Sequence, residues 1–293
     1  MKINPITGNS HTVSSLLHEI TENLSRHCPE TPRLDAEVLV THVLKTDKIN
    51  LYLYPDNPVS DESRQHLNEL ISRREKGEPV AYLIGRKEFW SLTFKVSNAV
   101  MIPRPQTETL IEAALKIFSA EASPSVLELG TGSGAISIAL SSELPRASII
   151  AIDISPDALS IARQNASDNG IDSITFRQGN LYEPVKTEGI CFDLIVSNPP
   201  YIPTDDIRLL PAGIRDYEPY LALDGGYDGL KYYRKIVEGA LRYLKSGGFL
   251  LLEVGYKQSR DVCNVIAQTQ GFSSPETVKD LLNIERVVKT YRV

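Results

Sequence analysis

From residue 107 to the C-terminus, short apolar runs alternate with longer amphipathic ones, and this alternation restricts the fold more than any other property of the chain. Strand-length runs occupy 125–129, 148–152, 174–177, 192–196 and 249–254, with a closing run near 285–291. Between them the spacing predicts helices over 108–118, 135–142, 156–168, 227–244 and about 258–268. Strands that alternate with helices are joined by crossovers. This half of the chain is therefore expected to be α/β, a parallel sheet with helices on both faces. Ligands of such sheets bind beyond the carboxyl ends of the strands.

The first 85 residues read differently. Val13, Leu16, Leu17, Ile20 and Leu24 recur at helical spacing, as do Leu34, Val38, Leu39 and Val43, then Leu67, Leu70 and Ile71. Pro29, Pro32, Pro55, Pro58 and Pro79 fall between these segments, and Asp61 is the expected cap of the third. Phe89, Trp90, Leu92, Phe94, Val96 and Val100 suggest a two-stranded ribbon. The expected organisation is a small helical bundle over 1–85, a β-hairpin linker over 86–102 and an α/β domain over 103–293.

A length of 293 residues suits two domains, and 42% hydrophobic with 23% charged residues is ordinary for a globular protein. A net charge of −6 argues against a protein that grips duplex backbones, which needs clustered Lys and Arg. The three cysteines, Cys28, Cys191 and Cys263, lie far apart, and the five histidines all fall within the first 66 residues. No metal site is expected, and a reducing compartment is. Neither a signal peptide nor a membrane-spanning run is found, so a cytoplasmic location is expected.

Three motifs carry chemistry. Glu128 leads into Gly130-Thr131-Gly132-Ser133-Gly134, a tight strand-to-helix turn that lets a ligand approach the backbone. Its third glycine comes too early for a dinucleotide fingerprint. Asp153, ending the second strand, can accept both hydroxyls of a ribose, and Ile154-Ser155-Pro156 offers no cation for a 2′-phosphate. Asn198-Pro199-Pro200-Tyr201 follows the fourth strand. The prolines lack N–H groups and keep the chain extended. The Asn198 side-chain carbonyl and the Pro199 backbone carbonyl can each accept one N–H of a planar amide or aromatic amine. That fixes the nitrogen and turns its lone pair toward an electrophile, while Tyr201 can stack on the substrate plane. Asn198, Pro199 and Tyr201 are the candidate catalytic residues, with Pro200 completing the substrate platform.

The glycine spacing resembles the cofactor loop of S-adenosylmethionine-dependent methyltransferases. That resemblance implies a Rossmann-like class I sheet and a cofactor held by Gly130, Thr131, Gly132, Ser133, Gly134 and Asp153, with Asn198 beside it. It also implies that the loop Gly179-Asn180-Leu181 passes the adenine, Asn180 at its edge and Leu181 on its face. Along most of its length the chain resembles bacterial release-factor glutamine methyltransferases. The matching runs are residues 77–85 (Gly-Glu-Pro-Val-Ala-Tyr-Leu-Ile-Gly), 102–108 (Ile-Pro-Arg-Pro-Gln-Thr-Glu), Ser197 through Ile202, Glu218-Pro219, Gly225-Gly226, Asp228-Gly229-Leu230, Gly247-Gly248, Glu253-Val254-Gly255 and Gln258. The family methylates the side-chain amide of the glutamine in the Gly-Gly-Gln loop of class 1 peptide release factors. The resemblance implies that activity here, with S-adenosylmethionine as donor and S-adenosylhomocysteine as product. A monomer that uses its N-terminal bundle for substrate recognition and needs no nucleic acid is expected. Gln106 and Asn180 stand where the family usually has Glu and Asp, removing two negative charges near a cationic cofactor. Alternative acceptors are a ribosomal-protein glutamine, or an adenine-N6 or guanine-N2 amino group. A third reading is a non-catalytic protein that kept the fold.

Overall fold

The computed structural model describes residues 12–27 and 30–293. Cys28 and Pro29 lie outside these. The described chain divides into two units, residues 1–85 with Pro211–Tyr217, and Arg86–Leu210 with Glu218–Val293.

In the first unit the three segments of helical apolar spacing become α1 (Val13–His27), α2 (Pro32–Leu44) and α4 (Asp61–Glu75), with the short α3 (Lys48–Leu53) and α5 (Val80–Ile84) beside them. Leu16, Ile20, Leu24, Leu39 and Leu67 are fully buried at their centre. Ser60, not Asp61, caps α4: its hydroxyl accepts the Ser63 N–H at 3.2 Å. Asp61 instead opens the helix, where a negative charge suits the dipole. The buried Glu37 carboxylate is matched by Arg33 at 2.9 Å and Lys48 at 2.6 Å. The segment Pro211–Tyr217, with the short helix α9 (Ala212–Arg215), belongs to this unit, and the Tyr217 hydroxyl donates to the Lys76 carbonyl at 3.2 Å.

The second unit opens with the hairpin β1 (Arg86–Phe89) and β2 (Leu92–Lys95). Phe89 and Phe94 sink into the core of this unit, and Asn165 brackets Lys95 by accepting its N–H at 2.6 Å and donating to its carbonyl at 3.1 Å. There follow α6 (Glu108–Leu115), β3 (Ser125–Leu129), α7 (Ala135–Glu143), β4 (Ser148–Asp153), α8 (Pro156–Asp168), β5 (Ile174–Gln178) and β6 (Phe192–Ser197). The chain ends with α10 (Tyr220–Leu223), α11 (Lys231–Tyr243), β7 (Leu244–Glu253), α12 (Ser259–Ala267), β8 (Glu276–Lys279) and β9 (Glu285–Tyr291).

The sheet has seven strands in the order β5-β4-β3-β6-β7-β9-β8. The first five are parallel, as the alternation implies, but β9 runs antiparallel to β7 and β8 antiparallel to β9. β8 and β9 are joined by a turn, not a helix. Asp280 closes it by taking the N–H groups of Leu282 and Ile284, both at 2.9 Å, and hairpin connection forces antiparallel pairing. β8 escapes the sequence reading because Glu-Thr-Val-Lys is a short, mostly exposed edge strand without an apolar stripe. Strand order reverses between β3 and β6, which pair in register at the centre (Val126↔Leu194, Glu128↔Val196). The crevice over their carboxyl ends is the topological switch point. Among the described residues no helix is long and apolar enough to cross a membrane.

Candidate active site

Two strand ends build the site. β3 stops at Leu129, and the N–H groups of Gly130 and Thr131 both reach the Ile152 carbonyl of β4, at 2.8 and 3.0 Å. Gly130, Gly132 and Gly134 all have left-handed φ, +76°, +54° and +82°. A Cβ on Gly130 or Gly132 would meet nothing within 4 Å, so their backbone faces open space. On Gly134 it would lie 3.0 Å from Ile138 Cδ1 and 3.2 Å from the Ala162 Cβ, so that glycine serves the packing of α7 on α8. Glu128 is folded beneath the turn with no exposed surface. Its Oε2 accepts the Thr131 hydroxyl at 2.6 Å and the Ser137 N–H at 3.2 Å, and its Oε1 has no partner among the described residues. Burial pushes its carboxyl up to about 7 against those hydrogen bonds.

Asp153, at the end of β4, accepts the Gly132 N–H at 2.8 Å and the Ser155 N–H at 2.9 Å. Burial raises it above the ordinary Asp value, and the backbone N–H groups of Ser155 and Gly132 hold it back. A carboxylate has about four lone-pair positions, so two N–H groups leave capacity for hydroxyl donors. After β5, Gly179 donates to the Asp153 carbonyl at 3.0 Å. Leu181 follows with a left-handed φ of +50°.

β6 ends at Ser197, whose hydroxyl donates to the Leu129 carbonyl at 2.6 Å and so ties the second strand end to the first. Next comes Asn198, whose Nδ2 donates to the Thr107 hydroxyl at 3.3 Å. Gln258 donates to the Tyr201 carbonyl at 2.8 Å and accepts the Gly255 N–H at 3.1 Å. Side chains are excluded around this segment: a Cβ on Gly225 would come within 2.7 Å of the Tyr201 backbone, and one on Gly229 within 2.4 Å of its carbonyl. Residues 227–230, expected to begin a helix, instead turn beside Tyr201, the Gly229 N–H donating to the Gly226 carbonyl at 3.2 Å, and α11 starts only at Lys231.

One cavity is lined together by Gly130, Thr131, Gly132, Ser133, Asp153, Asn180, Leu181, Asn198, Pro199 and Pro200. Gly134 and Tyr201 are not among its lining residues. The Tyr201 side chain instead packs on the core around β7 and α11, and burial beside Glu253 pushes its phenol up to about 12. Tyr201 is half-buried, while its neighbours Asn198, Pro199 and Pro200 line the cavity. Gln106 is half-buried and also outside the lining, whereas its neighbour Thr107 is in it. Met101, Pro103, Ile154, Leu221 and Ala222 complete the wall without having been singled out for it. Their signal was composition alone: Met101, Pro103 and Ile154 lie in loops, and Leu221 and Ala222 in the single turn of α10.

Residues 15–85 match the PrmC N-terminal domain family and residues 121–288 a methyltransferase domain family. A release factor glutamine methyltransferase from Geobacter sulfurreducens is 40% identical over 277 residues, covering 94% of this chain and 95% of that one. Another from Xylella fastidiosa is 43% identical over 255 residues, covering 87% and 91%. This chain belongs to the release factor glutamine methyltransferase family. A solved methyltransferase from Pyrococcus furiosus shares the fold, with a TM-score of 0.51 at 18% identity over 70% of this chain and 91% of that one. The α/β unit of this family member is thus a class I methyltransferase sheet, carrying its glycine turn and its Asn-Pro-Pro-Tyr segment on adjacent central strands.

Proposed function

We propose that this protein transfers a methyl group from S-adenosylmethionine to the side-chain amide nitrogen of the Gly-Gly-Gln glutamine of class 1 release factors. One observation carries the reading: an open glycine cradle and the Asn198-Pro199-Pro200 platform line the same cavity. Identity at 40% over nearly the full length of a release factor glutamine methyltransferase supports the acceptor.

The residues fit the cofactor. The empty space above Gly130 and Gly132 admits a chain lying on the backbone, Asp153 retains acceptor capacity for ribose hydroxyls, and Leu181 with Ile154 offers apolar surface for a base. Bound there, S-adenosylmethionine supplies an electrophilic sulfonium methyl. Asn198 and Pro199 do the rest by position. Their carbonyls hold the two N–H groups of the glutamine amide and point its nitrogen lone pair along the transfer axis. As the N–C bond forms the S–C bond breaks, and the surplus proton leaves the amide for solvent afterwards. No general base has to act first. The N-terminal unit is assigned to recognition of the release factor, and such a substrate implies a cytoplasmic reaction.

Incubation with methyl-labelled S-adenosylmethionine tests this on purified release factors, ribosomal proteins and DNA. Label is expected in the release factor and absent when its loop is Gly-Gly-Ala. Asn198→Ala should lower turnover by at least a hundredfold while cofactor affinity stays within about threefold. Label in nucleic acid alone would overturn the reading.

A further inference from the structure

We propose that Tyr182 is a positioning residue for the cofactor: its ring, seated on a glycine of α11, holds the Asn180-Leu181 loop against the cavity. The inference rests on the reading above that S-adenosylmethionine binds here with its base beside Leu181.

Asn180 and Leu181 line the cavity, and Leu181 has a φ of +50°, in the left-handed region that a leucine rarely adopts. Such a conformation persists only where its surroundings over-determine it. Local bonds shape the loop from within. The Glu183 N–H donates to the Asn180 carbonyl at 3.1 Å, the Glu183 carboxylate accepts the Asn180 N–H at 3.2 Å, and the Val185 N–H reaches the Tyr182 carbonyl at 3.1 Å. These bonds set the curve of the loop and leave its distance from the cavity to be fixed by contacts with other elements. The Tyr182 side chain, joined directly to Leu181, makes such a contact with α11.

The seat on α11 has three parts. The Tyr182 hydroxyl donates to the Ile236 carbonyl at 2.8 Å. The ring stacks on Tyr243, with centroids 4.7 Å apart and planes 5° from parallel. It also lies on Gly239, where a Cβ would come within 2.3 Å of Tyr182 Cε2 and 2.5 Å of Cδ2. Ile236, Gly239 and Tyr243 stand at i, i+3 and i+7, on one face of the helix. Glycine is a poor residue inside a helix, and the backbone of Gly239 does not ask for it, since its φ is not left-handed. The ring accounts for the missing side chain. With its hydroxyl tied and its face stacked, the ring cannot swing aside for a Cβ without giving up both contacts, and its displacement passes straight to Leu181. Gly239 and Tyr243 do not line the cavity, so a change at Gly239 reaches the cofactor through Tyr182.

The test uses the full-length protein with Gly239→Ala, Tyr182→Leu and the two combined. Calorimetry with S-adenosylhomocysteine should show each single variant binding at least tenfold more weakly than the parent. The combined variant should match Tyr182→Leu within about twofold, because a Cβ at position 239 displaces nothing once the ring is gone. On release factor, KM for S-adenosylmethionine should rise at least tenfold, while kcat at saturating cofactor and KM for the release factor stay within about threefold. A general loss of packing would not single out the cofactor in this way. The inference is overturned by a folded Gly239→Ala or Tyr182→Leu that binds S-adenosylhomocysteine within twofold of the parent, or by losses that add in the combined variant. Should Gly239→Ala not fold, Tyr182→Leu decides alone. A further readout needs no ligand: amide hydrogen exchange over residues 179–185 should quicken at least tenfold in Gly239→Ala, and unchanged exchange rejects the anchoring role. If the parent binds neither S-adenosylmethionine nor S-adenosylhomocysteine, the cofactor reading fails on its own, while the exchange still decides whether Tyr182 holds the loop.

Discussion

Glu128 lies directly under the glycine turn, and its carboxyl is fully removed from solvent with one oxygen unpaired among the described residues. Its folded-state value of about 7 stands above the ordinary 4.5. The folded protein therefore binds more protons than the unfolded chain between those values, and stability falls as pH rises from 4.5 to 7. The loss is complete above 7 and reaches about 3 kcal/mol at most. Carboxyls lowered by cations, such as Asp193 beside Lys245, work in the opposite direction, so the parent's own pH profile mixes the two. Glu128→Gln isolates the effect. Urea unfolding at pH 5 and pH 8 should show the variant gaining on the parent by up to about 3 kcal/mol at the higher pH; a difference that does not change with pH would dismiss the buried carboxyl as its source. At this scale the sequence was legible only in part. Glycines and an Asn-Pro-Pro-Tyr segment announce themselves, because few residues tolerate their backbone. Glu128 and Thr107 enter the site through burial and contact, which no local pattern encodes. The packing of the Tyr201 ring on the core was hidden for the same reason: whether an aromatic faces a cavity or the core is decided by elements distant in sequence.

Among the elements, the strands of the parallel core were legible because a strand buried on both faces is a short apolar run bounded by turn residues. What the alternation missed lies at the edges. β8 is nearly polar, and α11 starts late because Gly225 and Gly229 must pass over Tyr201. The hairpin was visible as Phe89 to Phe94, but its attachment was not, because it depends on one asparagine in α8. Asn165 is wholly buried. It bonds both the N–H and the carbonyl of Lys95 in β2, and donates to the Ser133 carbonyl of the glycine turn at 2.8 Å. It thus couples ribbon, helix and cofactor turn. Asn165→Ala removes three hydrogen bonds and strands buried backbone groups, which costs about 2–4 kcal/mol. Thermal unfolding should drop accordingly. Calorimetry should also show weaker S-adenosylmethionine binding by threefold or more, since Ser133 lines the cavity. A variant that loses stability but binds the cofactor as the parent does would confine Asn165 to the ribbon.

For the molecule as a whole, every lining residue of the cavity belongs to the second unit, and among the described residues the helical unit contributes none. Cofactor binding and substrate recognition are therefore separable in principle. The proposed division predicts that a protein lacking residues 1–85 retains S-adenosylmethionine affinity within about threefold but loses at least tenfold in kcat/KM on a folded release factor. A short Gly-Gly-Gln peptide supplies the control. It has no body to be recognised, so deletion should change its methylation far less. The deletion also removes the partners of Pro211–Tyr217, including the Lys76 carbonyl that holds Tyr217, and limited trypsin digestion should open first at Arg215. That observation matters for interpretation: if the peptide is methylated normally while Arg215 is cut quickly, the loosened segment is not what limits the release factor. Full activity on the release factor after deletion would instead remove recognition from the helical unit altogether, leaving the acceptor to be chosen by the cavity mouth alone.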